Sequence, residues 1–283
     1  MTHKDTFVKF SEFLALKRYS GSTINAYLSM VTKFQEFLGL VPMERLNNDV
    51  ILIKTMDFIQ AKGYSASSHK QVLGALGLFY EDFMRIRVDF RNIYPARREK
   101  RLPQILALEE VELLISGTKN LKHRTILMTI YALGLRRSEL LNLKISDIDG
   151  NRMLVHIKQA KGKKDRVVPL SHKLLKQLRE YYKKYRPKIY LFNGRKGEPY
   201  SNSSLRSIFT SACQRAKITK YVTLHSLRHA FATHLMDSGV DIRIIQQLLG
   251  HANIKTTMIY THVTTRSVQN VSSPLDFLEI DNP

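Results

Sequence analysis

At 283 residues, with 45 Lys and Arg against 24 Asp and Glu and a formal charge of +21, the chain has room for two globular units. Its 43% hydrophobic content excludes a charge-driven disordered chain, so the basic excess belongs to a folded surface and points to a polyanionic partner, nucleic acid before anionic membrane. A single cysteine, Cys213, excludes an internal disulfide. No secretory h-region and no apolar run of about 18 residues is present, so a reducing cytoplasm is the expected setting, with no membrane partner.

The charge is uneven. Residues 1–100 carry 15 basic and 10 acidic side chains, residues 101–272 carry 30 and 11, and the last eleven carry three acids and no base. A solvated face explains any one basic stretch, but an asymmetry of this size predicts a phosphate-tracking surface in the later region.

In chain order, Phe7, Phe10, Phe13 and Leu14 recur at helical spacing. After the turn Tyr19-Ser20-Gly21, with Ser22 or Thr23 as the expected cap, a second stripe runs from Ile24 to Leu38 and stops at Gly39. A third helix is predicted over Val50 to Ala61, and a fourth from Ser65–Ser68 through Phe83. Residues 1–92 thus read as a helical domain whose aromatics are core rather than base-stacking platforms. Residues 93–103, bounded by Pro95 and Pro103, read as a linker. Its Arg97, Arg98, Lys100 and Arg101 suit a DNA backbone, or plain solvation.

Beyond it, helices are predicted from Leu108 and over His123 to Leu133, the latter ending at Gly134. Met153–Ile157 and Arg166–Leu170 predict two strands around the turn Lys161-Gly162-Lys163-Lys164. Helical signals return for Leu174–Tyr185, Ser203–Ala216, Ser226–Ser238, Ile242–Leu249 and Lys255–Thr261. The expected fold class is mainly α with a small antiparallel β-sheet: a helical domain followed by an α+β catalytic domain over 104–270, and a tail over 271–283.

Cleaving a phosphodiester requires cations for the non-bridging oxygens, a nucleophile, a base and an acid. The basic region offers no convincing carboxylate cluster for metal-dependent chemistry. It does offer His225 and Arg228 at i and i+3, which can share a helical face. Gly250 ends the next helix and leaves His251 at its edge, and a short helix then carries Tyr260. These four residues are expected around one cavity. His225 and His229, at i and i+4, have zinc-ligand spacing. However, Ser226 occupies the position where a metalloprotease helix has Glu, and no metal is expected. His229 and His234 read as packing or capping residues.

The strings LGLRRSELLNL, AKGKKDRVVPL, HSLRHAFATHL and LLGHANIKTTMIYTHV resemble, in order and spacing, the signature boxes of the tyrosine recombinases, or phage-type integrases. KRYSGSTINAYL resembles the family's core-binding, SAM-like domain. The layout, opening directly on that domain, is closest to the simple two-domain Xer-type recombinases. The resemblance implies a clamp on the scissile phosphate from Arg136 and Arg228 and a leaving-group acid at Lys161, with Lys158, Lys163 and Lys164 as alternatives. It makes His225 the base or proton shuttle and His251 a phosphate contact, with Glu139 in support and Tyr260 as nucleophile. Lys163 and Lys164 join the expected DNA contacts. No cofactor is implied.

The implied activity is site-specific recombination through a 3′-phosphotyrosyl link and a Holliday junction. Its partners are double-stranded DNA sites held by a homo-tetramer, which is compatible with a free monomer. The tail, through Leu275, Phe277 and Leu278, docks on a neighbouring protomer in this picture. Relaxation of the type IB topoisomerase kind, a DNA-binding regulator with an inactive catalytic domain, and a zinc hydrolase are the readings left beside it.

Overall fold

The computed structural model describes residues 3–95, 104–158, 165–194, 198–258 and 260. The chain divides into two compact units, residues 1–100 and 101–283. No helix among the described residues is long and apolar enough to cross a membrane. Arg97, Arg98, Lys100 and Arg101, the hairpin-turn lysines Lys161, Lys163 and Lys164, and the tail over 271–283 lie outside the described residues.

The first unit contains α1 (His3–Leu16), α2 (Gly21–Leu38), α3 (Asn48–Ala61) and α4 (Ala66–Gly77). A six-residue π-helical stretch, Leu78–Phe83, extends α4. The cap of α2 differs from the expected Ser22 or Thr23: Ser20 stands in extended backbone and its hydroxyl accepts from the Thr23 amide at 3.3 Å. A serine one residue ahead of a glycine start meets the orphan amides of the first turn equally well. The aromatics form the core. Phe10 packs edge-on against Phe79 at 5.2 Å, and Phe34 against Phe58 at 5.5 Å. Buried Tyr80 donates to the Met43 carbonyl at 3.1 Å, which satisfies a hydroxyl that would otherwise be costly to bury.

The second unit contains α5 (Leu108–Ser116), α6 (Leu121–Leu133), α7 (Arg137–Asn142), α8 (His172–Tyr185), α9 (Asn202–Arg215), α10 (Leu224–Asp237) and α11 (Ile242–Leu249). Between α7 and α8 lies an antiparallel sheet of β1 (Ile148–Asp149), β2 (Leu154–Ile157) and β3 (Arg166–Pro169), in that order. β1 is a strand beyond the two expected. Helix α6 runs through the core, burying Ile126, Leu127, Ile130 and Leu133, and it packs against α8 and α10. Cys213 is partly buried against this core, and burial pushes its thiol up to about 11.

Three local features aim the site. Gly134 ends α6 in the left-handed conformation, φ 57°. A Cβ there would come within 2.4 Å of a Phe231 ring carbon, so both conformation and space demand glycine. Gly250 ends α11 in the same way, φ 62°. In β3 the alternation Arg166 in, Val167 out, Val168 in follows from the period-2 geometry of a strand. Pairing of β2 with β3 sets Ile157 opposite Arg166. The register therefore drives a guanidinium into the interior, where it needs an anion.

Candidate active site

Three consecutive carbonyls at the C-terminal end of α11 each accept from a different arginine. Leu248 takes Arg166 Nε at 2.6 Å, Leu249 takes Arg228 Nη2 at 2.6 Å, and Gly250 takes Arg136 Nη2 at 3.1 Å. The last carbonyls of a helix have no intrahelical donors and carry the negative end of its dipole, which makes them natural acceptors for guanidinium groups. Residues from positions 136, 166 and 228 thus meet at one helix end.

Glu139 binds the same three arginines from the other side. Its oxygens accept from Arg166 Nη1 and Nη2 at 2.8 and 2.7 Å, from Arg136 Nη1 at 2.7 Å and from the Arg136 amide at 2.8 Å. Arg228 Nη1 stands 3.6 Å away. Burial alone would raise this carboxyl, but the hydrogen bonds and charge of Arg166, with those of Arg136, hold it down to about 2. The fork-to-fork pairing with Arg166 is the geometry that a guanidinium and a carboxylate match best. Glu139 therefore sits inside the site as a buried anion.

Arg228 is fully buried. Its Nη1 donates to the Gly134 carbonyl at 2.8 Å and its Nη2 also reaches His251 Nε2 at 2.9 Å, while its Nε is buried with no acceptor among the described residues. Burial and the neighbouring Arg136 push its guanidinium down to about 9, still charged at neutral pH. Since Arg228 can only donate, His251 accepts on Nε2 and carries its proton on Nδ1, which lies 2.9 Å from Thr257 Oγ1. Burial, with Arg228 and Arg136, pushes His251 down to about 4 and keeps it neutral. Here His251 orients Arg228.

Tyr260 follows the 3-10 turn Ile254–Thr256, with its amide bonded to the Thr257 carbonyl at 3.1 Å. It is 2% exposed, and its hydroxyl lies 2.9 Å from His229 Nδ1. Burial raises the phenol's pKa, while Arg228 and Arg136 pull the other way. His225 meets His229 edge to face at 4.6 Å. Burial, with His229 and Arg228, pushes it down to about 4. His225 also lines a cavity of about 690 Å³ with Arg137, Arg206 and Tyr221.

The structure thus brings together Arg136, Glu139, His225, Arg228, His251 and Tyr260. Of the alternatives to Lys161, Lys158 pairs with buried Asp147 at 2.7 Å. His234 packs as expected, bonded to the Tyr131 hydroxyl at 2.9 Å. His229 also packs, but against the Tyr260 hydroxyl. No third metal-ligating side chain joins His225 and His229 among the described residues. Two participants escaped the sequence. Arg166 takes an inward strand position that only the register of β3 reveals. The partnership of His229 with Tyr260 spans 31 positions and left no local signal.

Comparison with known proteins shows the family. Residues 99–267 match the phage integrase family, and residues 7–89 match its N-terminal SAM-like domain. The chain is 37% identical to a putative integrase/recombinase, y4qK, of Sinorhizobium fredii, covering 95% of this chain and 88% of that one. It is 34% identical to tyrosine recombinase XerA of Pyrococcus horikoshii, covering 99% and 96%. A crystal structure of a lambda integrase tetramer bound to a Holliday junction shares the fold, with TM-score 0.73 and 17% identity over 92% of this chain and 77% of that one. The chain belongs to the phage integrase family, as a tyrosine recombinase of Xer-like architecture.

Proposed function

We propose that the chain recombines paired double-stranded DNA sites, with Tyr260 as the nucleophile that cuts and rejoins each strand. The meeting of Arg136, Arg166 and Arg228 on three successive α11 carbonyls, beside Tyr260, carries this reading. Two of these guanidiniums, Arg136 and Arg228, receive the non-bridging oxygens, and the buried Arg228 Nε is a donor left for one of them. Fixed charges aimed where negative charge grows are the main means of lowering such a barrier. Attack by Tyr260 gives a 3′-phosphotyrosyl link and a free 5′-hydroxyl, with Lys161 as the acid for the departing oxygen. The new ester keeps the energy of the old one, so rejoining needs neither ATP nor a cofactor.

The helical unit over residues 1–92 and the basic stretch Arg97, Arg98, Lys100 and Arg101 hold DNA, as do Lys163 and Lys164. Four protomers on two sites, exchanging strands through a Holliday junction, is the assembly that the lambda integrase tetramer supports by its fold. The segment over 271–283 docks on a neighbouring protomer in that assembly.

The test uses a pool of nicked duplexes of randomised sequence, in which cleavage near the nick releases a short fragment and traps the protein. Wild-type chain is expected to form detergent-resistant adducts whose DNA can be recovered and sequenced, and Tyr260→Phe is expected to form none. Adducts in the Phe variant, mapped to Tyr221 or Tyr200, would refute the assignment.

A further inference from the structure

We infer that His229, rather than His225, takes the phenolic proton of Tyr260 when the DNA strand is cut. The inference rests on the assignment of Tyr260 as nucleophile. It assigns a second, distinct proton position to the site.

The geometry separates the two histidines. His229 Nδ1 lies 2.9 Å from the Tyr260 hydroxyl, with ring centroids 5.6 Å apart and planes inclined by 54°. At 2% exposure Tyr260 has little access to water, so the imidazole is the acceptor at hand. His225 is placed differently. It touches the His229 ring and opens on the cavity that Arg137, Arg206 and Tyr221 line. One histidine bonds the hydroxyl of the nucleophile, and the other lines an open cavity.

The direction of the hydrogen bond follows from acidity. A phenol is far more acidic than a neutral imidazole N–H, so Tyr260 donates and Nδ1 accepts, with the ring proton on Nε2. Burial and the adjoining Arg228 charge lower the His229 pKa, which keeps that lone pair available at neutral pH. The same surroundings oppose an imidazolium until an anion arrives. A phosphodiester seated on Arg136 and Arg228 supplies it, so proton transfer is favoured only with DNA in place.

In cleavage, the Tyr260 Oη–phosphorus bond forms as the phosphorus–O5′ bond breaks. The phenolic proton passes to His229 Nδ1, and O5′ takes a proton from Lys161. In rejoining, O5′ attacks phosphorus and returns its proton to Lys161, while Tyr260 leaves and recovers its proton from the His229 imidazolium. A hydrogen bond that only fills a buried space would be served as well by an acceptor that never titrates.

That difference is the test. His229→Asn places an amide group near the Nδ1 position, which can accept a hydrogen bond but cannot take a proton. The full-length variant is compared with wild type in single-turnover cleavage of the duplexes recovered above. A matched duplex carries sulfur in place of the bridging O5′, so that the leaving thiolate needs no acid. With normal melting and normal gel-shift affinity, His229→Asn is expected to cleave about 10²-fold slower or worse on both duplexes. Lys161→Ala is expected to recover on the sulfur duplex. Wild-type rates in His229→Asn, faster cleavage, or recovery on the sulfur duplex would each overturn the inference, the last by moving His229 to the leaving group.

If the Asn variant melts early, His229→Gly assayed with and without imidazole replaces it. Stimulation supports the role and its absence overturns it. Tyr260→Phe runs alongside. An adduct there refutes the nucleophile, whereas an adduct only in Tyr260 proteins with no His229 effect refutes the base alone.

Discussion

Arg228→Ala is expected to lose single-turnover cleavage by about 10³-fold or more and also to melt roughly 10 °C lower, whereas Arg136→Ala loses cleavage with a smaller thermal penalty. The contrast follows from burial. The Arg228 side chain is 0% exposed and the Arg136 side chain 20%. Removing Arg228 strips donors from the Gly134 and Leu249 carbonyls and from His251, and takes a cation from beside buried Glu139. Leaving buried polar groups and a charge unpaired costs about 3–5 kcal/mol. Loss of Arg136 leaves Glu139 still paired with Arg166. Rapid-quench cleavage, thermal melting and gel shift on both variants check this. A wild-type melt for Arg228→Ala would show that its internal hydrogen bonds add nothing to stability.

Glu139→Gln should be nearly as damaging, although it removes no donor to DNA. The amide has one carbonyl oxygen where the carboxylate had two, so the fork of Arg166 loses its match and three guanidiniums face one another without an anion. A destabilisation of about 3 kcal/mol is expected, with cleavage falling as the clamp spreads. The pH dependence distinguishes this from a loss of packing. The Glu139 carboxyl is held at about 2 in the fold, below the ordinary value of about 4.3 for an unfolded chain. The unfolded state therefore binds that proton first as pH falls. Stability from Glu139 is fully present above about pH 5 and is lost as pH drops toward 2. Melting temperatures of wild type and Glu139→Gln should converge across that window. A gap that stays constant from pH 7 to pH 3 would contradict the role.

Much of the second unit was legible because local rules and tertiary structure agree there. Gly134 and Gly250 end helices as their positions implied, and Asp241 caps α11. The hairpin strands alternate as written. The cap of α2 was placed too late because Ser20, Ser22 and Thr23 are all competent, and only the backbone conformation of Ser20 decides among them. Arg166 was overlooked because a strand arginine reads as exposed until its register is known. His229 was assigned to packing because its partner arrives from another turn of the chain. The acceptors that collect the arginines could not be seen at all, since they are backbone carbonyls and every residue has one.

That last point makes α11 a ruler. Its contribution depends on where the helix stops, and hardly on which side chains precede the stop. Adding one residue between Ile242 and Leu248 would turn the terminal carbonyls by about 100° and advance them about 1.5 Å, scattering all three acceptors while preserving every side chain named in the site. Substitutions along the exposed face of α11, such as at Ile244, should be tolerated where a single insertion is not. For this site the count of residues between Asp241 and Gly250 sets where the three acceptors fall.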